Sequence, residues 1–315
     1  MPNRQRGRLN ASQRHHLVSK GYQKNFADGQ QRLTIINARS GVTIERLRPA
    51  RRNWVEDDWN TFWEESGDPN RHLEQEFARI EAGVMRRIRE VRPGAVAQAQ
   101  LAAVINLAAI HLVRSRSFID FLRHVRTTAM PDLVDQFTTD PELLTRFEAQ
   151  HGRRPDDGEV RSLVLRVGRE LMTSRRSELE TVIAQHNKIA ELLTKNTLQV
   201  LTIADDLPGL PIGDAPVVHA NLDSARFGFR DRLAIGDANL ILVPLTRRVA
   251  ACLTRSPMAD TTIGSMHQWK RVVDIQIRAC LGEIAAHPDD AHAVARLCRY
   301  PLKRPMRRTR HGIRI

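Results

Sequence analysis

The sequence is short of several things, and each shortage excludes something. It has three cysteines in 315 residues, Cys252, Cys280 and Cys298, widely spaced and odd in number. With no C-x-x-C pair, neither a zinc ribbon nor a thioredoxin-like site has its ligands. Free thiols in a reducing compartment are the simple reading, which points to the cytoplasm. Aromatic residues make up only 5%, so Leu, Val, Ile and Ala must carry the packing. The basic start is not followed by an apolar stretch, so no signal peptide is expected. The longest apolar run, Leu101–Val113, is broken by Asn106 and His111; it is too short to cross a bilayer and reads as a buried helix. No G-x-x-x-x-G-K, G-x-G-x-x-G, H-E-x-x-H or G-x-S-x-G is present. Nucleotide-driven motors, Rossmann dehydrogenases, zincins and α/β-hydrolases are thereby disfavoured.

Acidic residues are missing from both ends. Residues 1–14 carry four arginines and residues 296–315 carry eight cations, among them Arg304, Arg307, Arg308 and Arg310. These two arms account for nearly all of the net charge of +13, and the body between them is close to neutral. Basic arms of this kind are an electrostatic footprint for nucleic acid, because each neutralised phosphate releases counterions. They are equally common as solvated tails.

What is present reads as a predominantly helical α+β domain over residues 15–295, between a basic arm at 1–14 and a basic tail at 296–315. Residues 15–66 hold a histidine segment, a β-hairpin (32–37 and 42–46, around Ala38-Arg39-Ser40-Gly41) and an acidic, Trp-rich stretch at 54–65 suited to a protein partner. Residues 68–195 read as helices. Asp68-Pro69 resembles a cap with Pro at the first helical position. Leu73, Phe77, Ile80, Val84, Ile88 and Val91 then form one apolar stripe, stopped at Pro93-Gly94. A second helix is expected over about 96–126 and a short one from Asp140-Pro141 to before Gly152. A long stretch opened by an Asp156/Glu159 capping box should follow to about 195, bent near Thr173-Ser174. In 198–295, β-branched runs at 200–203, 216–219, 239–243 and 249–254 predict a small antiparallel sheet. A last helix is expected over 266–286.

Several segments, in order, resemble a family catalogued as domain of unknown function 4238. They are His15-His16-Leu17-Val18, Gly21-Tyr22-Gln23-Lys24-Asn25-Phe26, a hairpin, Ile80-Glu81, the apolar helix ending at Ile110 to Arg114 and Arg116, Gly213-Asp214-Ala215-Pro216-Val217, and Leu242-Val243-Pro244-Leu245. The chain departs from the family pattern at Ser19, where Pro is usual, and at Gly213 and Ala215, where Ser and Asn flank the Asp. The resemblance implies a bacterial or phage-encoded protein and no established reaction. Within these matching segments, Tyr22, Lys24, Arg114 and Arg116 are candidate binding residues.

Four residues are candidates for catalysis. His15 and His16 bring imidazoles suited to proton transfer or metal ligation, but as neighbours in an extended segment they point to opposite sides. Glu81 lies at the edge of the apolar stripe, where a carboxylate needs a partner. That partner is Arg114 or Arg116 in an ordinary helix–helix tie, or a histidine across a cleft in a functional one. Asp214 stands where a strand meets a turn, and either satisfies its own turn or presents a carboxylate at a sheet edge. Arg247 could face phosphate or be solvated. Three readings stay open: a nucleic-acid-directed effector, nuclease-like, using His and carboxylates with or without a divalent metal; a non-catalytic nucleic-acid-binding protein; and a protein-interaction module.

Overall fold

The computed structural model describes residues 14–302, apart from 58, 60, 64–68, 71, 95, 174 and 257–258. Strand β1 (Arg14–His16) opens the described chain, followed by helix α1 (Lys20–Gln23) and the hairpin of β2 (Arg32–Asn37) and β3 (Thr43–Pro49). The turn between them requires glycine: Gly41 has φ +68°, and a Cβ there would collide with the Ala295 carbonyl oxygen. Strand β4 (Val55–Asp57) pairs antiparallel with β1, setting His15 opposite Glu56 and His16 opposite Val55. Strands β5 (Phe62–Trp63) and β6 (Pro69–Asn70) form a short ladder. Pro69 therefore does not open a helix as expected; it closes a strand pair, a position where a residue without an N–H is tolerated. Asp68 lies outside the described residues.

The helical part follows. In α2 (His72–Arg89), Leu73, Phe77, Val84 and Ile88 are buried, as the stripe requires. Helix α3 (Gln98–Val113) buries ten of its sixteen residues and packs against α2 on one side. The single helix expected over 96–126 is instead two, because the chain breaks at Ser115. That residue is extended, its Oγ accepts from the Phe118 N–H at 3.2 Å, and it caps α4 (Arg116–Thr139), which is bent 63° from α3. The break leaves Arg114 at the C-terminal end of α3, where the helix carbonyls favour a cation.

Helix α5 (Pro141–His151) starts on the Asp140 cap and ends at Gly152, φ +67°. In the box before α6 (Asp157–Thr173), Asp156 Oδ1 accepts from the Glu159 N–H at 2.7 Å and Glu159 Oε2 from the Asp156 N–H at 3.2 Å. Helix α7 (Arg175–Thr194) completes the set and also packs on α3.

The last third holds β7 (Thr197–Ile203), β8 (Ile212–Gly213), β9 (Val218–Asn221), β10 (Arg226–Phe227), β11 (Leu240–Thr246), β12 (Val249–Thr254) and β13 (Thr261–Ile263). The sheet runs β10-β9-β11-β12-β7-β13, antiparallel except for β13, which lies parallel to β7. The expected helix over 266–286 ends early. Helix α8 (Met266–Ala279) gives way to strand β14 (Glu283–Ala286), and α9 (Ala291–Arg299) follows. Strand β14 sits between β2 and β8 in a second sheet of order β3-β2-β14-β8. The N-terminal hairpin is thus not free-standing. Its strand β2 is buried at Leu33, Thr34, Ile35 and Ile36, with β14 paired along its edge and α9 packed against it.

The fold is α+β. Among the described residues no single helix is long and apolar enough to cross a membrane; only the bent α3–α4 pair reaches that length and composition together.

Candidate functional site

The N-terminal segment lies across the junction of helices and sheet. Tyr22 donates from its hydroxyl to the Pro244 carbonyl, and Asn25 Nδ2 donates to the Leu245 carbonyl at 3.1 Å. These bonds dock 19–26 on β11, so motifs more than two hundred residues apart in sequence meet in space.

Beside this docking point a chain of polar groups joins β1, α2 and α3. Arg114 is 3% exposed. Its Nη2 donates to both Glu74 oxygens, at 3.1 and 3.0 Å, and its Nη1 donates to Glu81 Oε1 at 2.8 Å. Its guanidinium also lies 5.1 Å from the centre of the Phe77 ring. The second Glu81 oxygen accepts from Ser19 Oγ at 2.8 Å. On the far side of Glu74, His15 Nδ1 is 3.5 Å from Oε2, and His15 Nε2 is 3.4 Å from Thr61 Oγ1. Both are long contacts. One buried cation therefore bridges two carboxylates that keep part of their surface in water. Burial pushes the Glu81 carboxyl above its ordinary range, against the opposing pull of Arg114 and Ser19.

His16 faces the other way, as its neighbour's position demands. It is half-buried, and its Nε2 lies 3.1 Å from the Arg51 carbonyl. A carbonyl only accepts, so Nε2 carries the proton of the neutral ring and Nδ1 keeps its lone pair. Burial lowers the His16 pKa, with Arg114 and Lys20 adding to the effect and the Arg51 carbonyl opposing it. Lys20 is exposed, and so are the side chains of Arg51, whose carbonyl His16 bonds, and of the next residue, Arg52. Arg116 is exposed and ion-paired with Glu56.

The remaining candidates lie elsewhere. Tyr22, expected at a binding surface, is fully buried among Phe26 and His111, with ring centres 5.3 and 4.7 Å away. Burial carries its hydroxyl pKa well above the usual value, so in this structure it presents nothing to a ligand. Lys24 is half-exposed. Asp214 sits after β8, where its carboxylate accepts from the amides of Leu281 (2.8 Å), Gly282 (2.7 Å) and Glu283 (2.9 Å). It satisfies a turn between α8 and β14, and burial raises its pKa while these amides lower it. Arg247 forms a two-pronged pair with Asp290, at 2.7 and 2.9 Å. Trp54 and Trp59, in the stretch expected to dock a partner, pack against the core. Arg304, Arg307, Arg308 and Arg310 lie outside the described residues.

Three members of the junction were not singled out from the sequence. Glu74 had a usable signal: it precedes Glu81 by seven residues, two helical turns, and so shares its face. Ser19 stands where the family pattern has Pro, and its hydroxyl fills a need of Glu81 that Pro could not. Thr61 had no signal. The departure at Gly213 also has a cause, since a Cβ there would collide with Cys280 Sγ. Among the described residues no group of three or more His, Cys, Asp or Glu is arranged to hold a metal ion. Arg114 already serves as counter-ion between the two carboxylates.

These features define an α+β protein with a buried carboxylate–arginine–histidine junction between its first strand and two long helices. Residues 14–290 match the sequence profile of the family described as "Protein of unknown function (DUF4238)", and the chain belongs to that family. No curated protein and no solved structure matches it.

Proposed function

We propose that the protein is a nucleic-acid-directed effector whose polyanion-facing surface surrounds His16. The observation that carries this reading is the setting of that histidine. A neutral imidazole with a free Nδ1 lone pair is bonded to the Arg51 carbonyl, in a segment whose Arg51 and Arg52 are exposed, and Lys20, Arg114 and Glu74 are near enough for their charges to act on it. Exposed cations of this kind take phosphate oxygens, and a neutral imidazole near them is suited to accept a proton from an attacking hydroxyl or water. Cleavage of a phosphodiester is the reaction this arrangement would serve, with His16 Nδ1 as general base and the basic arms adding affinity. Such an effector would work in the cytoplasm of a bacterium or of a phage-infected cell.

The test is binding of short labelled RNA and DNA, single-stranded and duplex, over a range of salt. Each of Arg51→Ala and Arg52→Ala should reduce the slope of log affinity against log salt by about 1, and deleting residues 300–315 should flatten it further. His16→Ala should abolish any cleavage while leaving the melting temperature unchanged. Affinity that ignores salt, or is absent for all four nucleic acids, overturns the reading. A second reading, a non-catalytic binding module, is favoured by the burial of His15, 2% exposed, and Arg114. In that case Glu81→Ala and His15→Ala lower the melting temperature in step with binding, and no cleavage is found in the parent protein.

A further inference from the structure

Far along the chain from His16, α4, α5 and α6 enclose a groove of about 600 Å3, inside the range of roughly 300–1,000 Å3 typical of small-molecule sites. Its walls are apolar: Leu133 and Phe137 from α4, Leu143 and Phe147 from α5, Leu163 and Val167 from α6. Five of these six remain about 40% exposed, from 38% for Leu133 to 42% for Val167. That is an unusual amount of large apolar side chain for three neighbouring helices to leave in water. Helix α5 buries none of its residues, so its apolar side chains have only the groove to cover.

The charged groups of the groove have one sign. Arg126 and Arg146 line it, and no Asp or Glu does among the described residues. Arg126 is half-buried, and its Nη2 donates to Thr181 Oγ1 at 2.6 Å. It faces no carboxylate among the described residues, unlike Arg114 and Arg247. Arg146 pairs with Glu142, but both are 74% exposed, so that pair competes weakly with another anion.

We infer that this groove binds an amphiphile with an extended apolar chain and a single anionic head group, the chain lying against Phe137, Leu143 and Leu163 and the head group on Arg126. A long-chain carboxylate is the simplest such molecule. The inference is independent of the nucleic-acid reading, which concerns other residues.

The experiment uses the full-length chain and dansyl-labelled undecanoate, followed by its fluorescence, with hexadecanoate and hexadecanol as competitors. The probe should bind and be displaced by the carboxylate much better than by the alcohol. Val167→Trp should fill the groove and abolish binding with the melting temperature unchanged. Should that variant fail to fold, Leu163→Glu at the exposed wall gives the same readout. Arg126→Gln should weaken hexadecanoate about ten-fold, as expected for losing a hydrogen bond to a charged group, and leave hexadecanol unaffected. Failure of the probe to bind, equal displacement by acid and alcohol, or binding that survives Val167→Trp would each overturn the proposal. So would a dimer of the chain that Leu163→Glu dissociates, because a second copy would then be the occupant.

Discussion

Arg114 is the residue on which the junction depends, and replacing it isolates the energetics. Arg114→Leu keeps an apolar side chain at the site, gives up the guanidinium's contact with Phe77, and leaves Glu74 and Glu81 without their cation. Removing one partner of a buried ion pair costs about 3–5 kcal/mol. Glu81 is 20% and Glu74 35% exposed, so water takes up part of the stranded charge. The lower end of the range, about 3 kcal/mol, is therefore the expectation. For a chain of this size each kcal/mol shifts the melting temperature by about 2 °C, giving a fall of about 6 °C by calorimetry or circular dichroism at neutral pH. The triple change Arg114→Leu, Glu74→Gln, Glu81→Gln strands no charge and should recover more than half of that loss. The pH dependence has a definite sign. Because burial raises the Glu81 pKa in the folded state, the folded chain holds more protons than the unfolded one from the ordinary Glu range upward to that raised value. Stability therefore falls as pH rises through that window, and Glu81→Gln removes this component. A drop under about 2 °C for Arg114→Leu, or a triple variant no more stable than the single, would refute the account of the junction.

Other consequences are equally open to measurement. His111 and His219 are held at pKa values of about 3 and about 4 by burial, against 6.5 when unfolded. The unfolded chain binds more protons in between, so stability is lost as pH falls from 6.5 towards 4, by up to about 1.4 kcal/mol per pH unit for each histidine. Both ring nitrogens of His111 are buried without a hydrogen-bond partner among the described residues. His111→Phe should accordingly flatten the acid side of a urea-midpoint profile, and an unchanged profile would show that His111 is not the titrating group. Gly213→Ala should cost about 1–3 kcal/mol through its collision with Cys280 Sγ, with Cys280→Ala recovering stability in the double variant. A neutral Gly213→Ala would mean that the strand shifts freely there.

Much of the architecture was legible locally. The spacing of Leu73, Phe77, Val84 and Ile88 is enough to identify α2 and the face it buries. Asp140-Pro141 with Gly152, and Asp156 with Glu159, mark helix ends through bonds that reach only three or four residues. Leu33 and Ile35 disclose a strand in the same way, and Ile80-Glu81 shows a carboxylate at the rim of an apolar stripe. Such signals are carried by neighbours along the chain, so the sequence by itself determines them. It also determined the α+β class and the family, through the order of its motifs.

Tertiary structure decided which faces meet. The pattern at 283–286 reads as a continuation of α8. It becomes a strand because Asp214, some seventy residues earlier, takes three amides of the preceding turn and seats β14 between β2 and β8. Glu81 announces that it needs a partner, but that the partner is Arg114, shared with Glu74 and through it with His15, follows only from the crossing of α2 and α3 beneath β1. Asp214 and Glu81 look alike in sequence, each a carboxylate beside apolar residues. One neutralises turn amides and the other joins an ionic junction, because a buried charge takes whichever partner the packed chain brings within reach.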